Sequence, residues 1–120
     1  MVQAGPISPP EVKDHARLVN TLKAVFDNVT SLSAPTPSYG RAWGFAMCSE
    51  SAIALQPQPE VVDQLLQEKT TGGYRFIDGI SLLGIMQTPL YIRQAIAAET
   101  TVYTLNEPPK FFGTGVVSEQ

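Results

Sequence analysis

Residues 34–50 read APTPSYGRAWGFAMCSE, and how this stretch is read decides the fold. Pro35, Pro37 and Gly40 make a turn-rich corner. Past it, Ala42 to Ser49 predicts a strand. Side chains alternate along a strand, so Trp43, Phe45 and Met47 share one face and Ala42, Gly44, Ala46 and Cys48 share the other. Neither face carries a charge, which predicts a strand covered on both sides, as in an α/β sheet interior. The small face leaves room for a helix or a ligand to come close. Before the corner, Val29 to Ala34 is rich in β-branched and small residues and predicts the other arm of a hairpin. Trp43 is the only tryptophan of the chain. It is either the anchor of a core or one wall of a site.

Toward the N-terminus, Val2-Gln3-Ala4-Gly5-Pro6 is extended and apolar and begins with no lead-in, so the chain is expected to start inside a sheet. Pro6, Pro9 and Pro10 open a loop. Pro10-Glu11 then suits a helix start, with Ser8 as cap. The helix is expected over Val12 to Phe26, with Leu18, Leu22, Val25 and Phe26 on one apolar face. Lys13, Asp14, Arg17 and Lys23 read as its solvated side, and His15 among them as a surface histidine.

Toward the C-terminus, Pro59-Glu60 opens a helix carrying Val61, Val62, Leu65 and Leu66, and Gly72-Gly73 ends it. Tyr74-Arg75-Phe76-Ile77 alternates like a strand. Asp78-Gly79 reads as a turn, and Ser81 to Met86 as one helical turn. A last helix starts at Thr88-Pro89 with Thr88 as cap. Thr101-Val102-Tyr103 reads as a short extended stretch, and 113–120 as a flexible tail. The predicted order is strand, helix, hairpin, helix, strand, helix. A sheet of so few strands has exposed edges, so the expectation is an incomplete α/β domain.

The bulk composition is globular: 43% hydrophobic and 16% charged over 120 residues, enough for one domain. The net charge is -3 and the eight basic residues are scattered, which argues against a nucleic-acid surface. One cysteine, Cys48, allows no intramolecular disulfide and fits a reducing compartment. No apolar run approaches the roughly 20 residues of a membrane span, and the first residues lack the pattern of a signal peptide. A cytoplasmic protein is expected.

The residues alone reveal no complete active site. One histidine and one cysteine make no metal-ligand set. Gly72-Gly73 closes a helix, whereas a dinucleotide-type glycine loop opens one. The acids Asp27, Asp63, Asp78 and Glu99 are dispersed.

From Gln3 to about Phe112, however, the chain resembles the C-terminal part of the polyamine synthases, which transfer an aminopropyl group. The family strand ending in glutamine is similar to Val2-Gln3-Ala4-Gly5-Pro6. The helix with Leu18, Leu22 and Val25-Phe26 follows, then a strand and a proline-bearing corner. Ser33 to Tyr39 through Trp43-Gly44-Phe45 resembles the thermospermine synthase version, as does the tail AAETTVYTLNEPPKFFGTG. When the tryptophans are aligned, the tyrosine of the spermidine synthase corner falls at Ser38, and Tyr39 is offset by one. Ser38 leans toward a longer acceptor. Tyr74-Arg75-Phe76 and Thr88-Pro89 through Ala95-Ile96 match the family's closing strand and helix.

The resemblance implies a Rossmann-like, methyltransferase-type sheet, with residues 1–112 as the C-terminal part of the catalytic domain. It implies decarboxylated S-adenosylmethionine as donor and putrescine or spermidine as acceptor. Gln3, Tyr39 and Trp43 are then the expected substrate-binding residues, with a substrate ammonium against Trp43. The glycine-rich donor loop, the ribose-binding acid and the catalytic aspartate loop of the family lie ahead of the position of Gln3. No catalytic residue, no metal and no bound cofactor is therefore expected in this segment, and no turnover by it alone. The expected partners are a polyamine in the complete enzyme, a second copy, or a missing N-terminal half, with neither nucleic acid nor membrane. A non-catalytic module that assembles with a full-length synthase, or an unrelated small α+β domain, are the competing readings.

Overall fold

A computed structural model describes residues 1–109. They divide into two units: Met1–Ile53 together with residues 88–109, and Ala54–Gln87. The predicted tail and the Phe111-Phe112 pair lie outside the described residues.

The first unit is α/β. Its sheet holds β1 (Val2–Pro6), β2 (Asn28–Thr36) and β3 (Arg41–Ser49) in the order β1-β3-β2. Both pairings are antiparallel. The hairpin is the one the sequence predicts, in continuous register from Asn28↔Ser49 to Thr36↔Arg41. It is longer than expected, because the strand runs on through Pro35. Pro35 lacks an N–H, yet β2 is an edge strand and tolerates the loss. The corner shrinks to one 3-10 turn, Pro37–Tyr39, closed by Gly40 at φ 72°, a left-handed conformation that glycine adopts without strain.

β1 pairs with β3 through Val2↔Ala46, Gln3↔Phe45 and Pro6↔Trp43. One extra residue therefore sits between Gln3 and Pro6, and Gly5 takes φ 79° there. Gln3 pairs with Phe45, two residues from Trp43 along β3, so Gln3 and Trp43 lie on the same side of the sheet, and the bulge shifts only the residues after Gln3. Among the described residues, β1 has no neighbour on its outer edge.

Helix α1 (Val12–Lys23) packs on the small-residue face. Ala4 and Ala46 are fully buried there with Val19, and Leu18, Leu22, Val29, Cys48 and Ile96 close around them. The helix is shorter than the expected Val12 to Phe26. Its buried stripe is His15, Ala16 and Val19, and Val25 is 69% exposed. The prediction weighted the largest apolar side chains, whereas the sheet's alanines and glycine admit a stripe of small residues and one imidazole. The N-cap is Glu11, and Ser8 instead donates its hydroxyl to the Glu11 carboxylate at 2.7 Å.

The helix Leu90–Ala98 also packs on α1, with Ile92 fully buried. Pro89 is its N-cap, and the Thr88 hydroxyl donates to the Ser31 carbonyl instead of capping. Thr101-Val102-Tyr103 forms no strand. Asn20 donates to the Thr101 carbonyl and the Tyr103 N–H donates to Thr21 Oγ1, so α1 takes up the backbone bonds that a strand partner would.

The second unit holds two helices, α2 (Pro59–Lys69) and α3 (Gly79–Ile85). The predicted strand Tyr74 to Ile77 does not form. Gly72 and Gly73 both take positive φ just before it, and this unit offers no strand for it to pair with. Asp78 is a helix cap rather than a turn residue. Its carboxylate accepts from the Ser81 N–H at 2.9 Å and Ser81 Oγ accepts from the Asp78 N–H, a reciprocal capping box. Gly79 leaves no room for a side chain, since a Cβ would meet the Pro59 carbonyl oxygen at 2.1 Å.

Candidate functional site

The expected site residues Gln3, Tyr39 and Trp43 come from β1, the 3-10 turn and β3, and the first unit brings them together. The Tyr39 hydroxyl donates to Gln3 Oε1 at 2.8 Å. The Tyr39 and Trp43 ring centroids are 4.2 Å apart, inclined at 37°. Gln3 and Tyr39 are exposed, and Trp43 is buried, only 7% exposed. The group lies on the sheet face opposite α1, because Gly44, the next residue of β3, points at the helix.

Two further residues complete the corner. Arg41 lies with its guanidinium carbon 5.7 Å from the Trp43 ring centroid, a cation–π arrangement. Its Nη1 donates to Glu11 Oε1 at 2.7 Å, the oxygen that also accepts from Ser8. The cation on the tryptophan in this structure is therefore Arg41's. Sequence reasoning missed both Arg41 and Glu11. They are 30 positions apart, and neither belongs to a spacing that signals a site. The helix-start reading of Glu11 was correct but gave no hint of its partner.

Trp43 also carries an unmet demand. Its indole Nε1 is buried and has no hydrogen-bond partner among the described residues. An unpaired buried donor costs about 1–3 kcal/mol. The donor is thus free for an acceptor atom outside these residues.

Beneath the corner, His15 fixes the sheet. It is fully buried, against the expectation of a solvated side chain. Its Nδ1 lies 2.8 Å from the Ala4 carbonyl oxygen, so Nδ1 carries the proton and donates. Nε2 then accepts from the Ser31 hydroxyl at 2.7 Å. One imidazole thus links β1 to β2 across Gly44 of β3, where a Cβ would come within 2.5 Å of the ring. Burial pushes its pKa below the usual 6.5, and the bond to Ala4 offsets this only in part. The tie holds Ala4, the residue after Gln3, and so helps to set where the glutamine side chain stands.

What the corner can do is recognise, not react. Gln3 and Tyr39 offer oxygen acceptors to N–H groups, the aromatic pair forms an apolar wall, and the Glu11 carboxylate is held in an ion pair with Arg41. No nucleophile–base pair stands among these residues. Among the described residues no group of three or more His, Cys, Asp or Glu is placed to hold a metal ion, and no helix is long and apolar enough to cross a membrane.

No protein-family model matches the chain. Curated proteins do. A polyamine aminopropyltransferase of Synechococcus sp. (strain JA-3-3Ab) is 49% identical over 113 residues, which are 92% of this chain and 36% of that relative. The polyamine aminopropyltransferase of Sulfolobus acidocaldarius is 32% identical over 93 residues, 78% of this chain and 31% of the relative. The thermospermine synthase ACAULIS5 of Arabidopsis thaliana is 26% identical over 117 residues, 97% of this chain and 34% of the relative. The chain thus spans about a third of the length of the curated relatives it matches.

Proposed function

The chain is a homologue of the polyamine aminopropyltransferases, and we propose that these 120 residues are the C-terminal third of such an enzyme, supplying the wall of its acceptor pocket. The reaction of the complete enzyme moves an aminopropyl group from decarboxylated S-adenosylmethionine to putrescine or spermidine. The amine nitrogen attacks the carbon bonded to the sulfonium, the C–S bond breaks, and the sulfur leaves with the electron pair as methylthioadenosine. The displaced ammonium proton goes to a base outside this segment.

The observation that carries this reading is the convergence of Gln3, Tyr39 and Trp43 at one corner. An amine or ammonium offers N–H donors and a methylene chain. The oxygens of Gln3 and Tyr39 suit the first, and the aromatic wall suits the second. Orientation of this kind lowers the entropic part of a transfer barrier. The indole N–H left without a partner supports a pocket that other residues or a ligand complete.

The sheet belongs, in this reading, to a larger Rossmann-like sheet of the methyltransferase type. Among the described residues the outer edge of β1 has no partner, which supports that, since an open edge takes a neighbouring strand. The donor site and the base lie in the remaining two thirds, so the segment alone does not turn over. The single free cysteine favours a reducing compartment such as the cytoplasm.

A chimera tests the reading: this chain replaces the matching third of the Synechococcus enzyme, and methylthioadenosine release is followed with each acceptor. Product from the chimera is expected, and none from the 120 residues alone. A folded chimera without product would contradict the proposal, and would favour a module that only assembles with a synthase.

A further inference from the structure

The corner already holds a cation of its own, and that has consequences for the length of the acceptor. We propose that Arg41 is a specificity-determining residue, which ends the acceptor pocket and disfavours polyamines longer than a diamine. The inference rests on the acceptor-wall reading above.

A polyamine running past Gln3 and Tyr39 brings its next ammonium toward Trp43 and Glu11. Both counter-groups there are taken. The Arg41 guanidinium lies over the Trp43 ring at 5.7 Å, and Arg41 Nη1 holds Glu11 Oε1 at 2.7 Å. Ser8 donates to that same oxygen, which leaves it with two hydrogen bonds already. A further ammonium would give up water beside the like charge of Arg41, with the nearer Glu11 oxygen already shared by two donors. Being part of the chain, Arg41 competes at a high effective concentration. A diamine needs nothing beyond the Gln3–Tyr39 pair and avoids the conflict. Ser38 by itself pointed to a longer acceptor because a bulky side chain is missing there. Arg41 adds a fixed cation at the same corner, and the charge decides.

Arg41 is half-exposed, with 44% of its side chain accessible, so replacing it leaves the core untouched. The test reads Trp43, the only tryptophan of the chain, by fluorescence. Putrescine and spermine are titrated at fixed ionic strength into the wild-type chain and into Arg41→Gln, Arg41→Lys and Glu11→Gln. The quantity read is the ratio of apparent affinities, spermine over putrescine. In Arg41→Gln it should rise about tenfold, as Glu11 and the ring become free. In Arg41→Lys it should stay within about twofold of wild type, because the cation remains. In Glu11→Gln it should fall, because the cation loses its partner. If Arg41 only braces the corner, Arg41→Gln and Glu11→Gln move the ratio in the same direction. That result, or a flat titration in every variant, overturns the proposal. An inactive chimera combined with the expected shifts would sink the catalytic reading and leave this one standing. An active chimera without the shifts would do the reverse.

Discussion

On the helix face of the β1-β3-β2 sheet, the buried imidazole has a partner for each ring nitrogen; on the opposite face, the buried indole has none among the described residues. The helix face is finished. Ala4, Val19 and Ala46 are 1% exposed or less, and His15 ties both outer strands together. On the other face, Gln3 and Tyr39 stand exposed beside a buried Trp43. A folded unit tolerates the second arrangement because the first supplies the stability. The face that is closed serves the fold, and the face with spare hydrogen-bonding capacity is the one proposed to receive the acceptor.

The comparison is broken most severely by filling the space over β3. Gly44→Val places a Cβ where His15 Nδ1 would be 2.5 Å away and Ile7 Cγ2 2.7 Å away. The ring and Ile7 must move and both ties of His15 are lost, so a loss of about 4 kcal/mol is expected in urea unfolding. A loss under about 1 kcal/mol would mean that the helix face is not close-packed.

His15→Leu comes next. It leaves the Ala4 carbonyl and the Ser31 hydroxyl without their partner, at a cost of about 2–3 kcal/mol. The same residue gives a pH signature. Burial lowers the folded-state pKa below 6.5, so under acid conditions the unfolded state binds the proton first. Wild-type stability should therefore fall as pH drops below about 6.5, toward the depressed folded value. The slope contributed by His15 should vanish in His15→Leu. An equal slope in both proteins would remove the buried neutral imidazole from the account.

On the other face the effects should be small. Trp43→Phe removes ring area but also the unpaired N–H, and the two oppose each other, so a net change within about 1 kcal/mol is expected. A loss above about 2 kcal/mol would mean that lost packing outweighs relief of the unpaired donor. Tyr39→Phe breaks one exposed bond to Gln3 and should cost about 0.5 kcal/mol or less in thermal unfolding. A larger cost would make the corner a part of the core.

How much of this the sequence disclosed follows the same division. The hairpin was legible because Ala42 to Ser49 is uncharged on both faces and a proline-rich corner precedes it. Tyr74 to Ile77 shows the limit of alternation: the pattern is there, but two positive-φ glycines precede it and no strand partner is at hand. His15 was misread because a histidine between charged neighbours looks solvated. Only the pairing of β1 and β2 on either side of Gly44 creates its pocket. The meeting of Gln3 and Tyr39, 36 positions apart, followed from family resemblance and not from spacing. Arg41 over Trp43 could not be foreseen at all, since ion pairs across 30 positions depend on the finished fold.

The central claim is that the Gln3–Tyr39–Trp43 corner serves the acceptor. The most direct test is Gln3→Ala in the Synechococcus chimera, with KM measured separately for acceptor and donor. Gln3 is exposed, so its loss should leave the fold intact. A hydrogen bond to a charged group contributes about 1.5–3 kcal/mol, so acceptor KM should rise roughly tenfold or more while donor KM stays unchanged. An unchanged acceptor KM, or a rise in donor KM instead, would contradict the account.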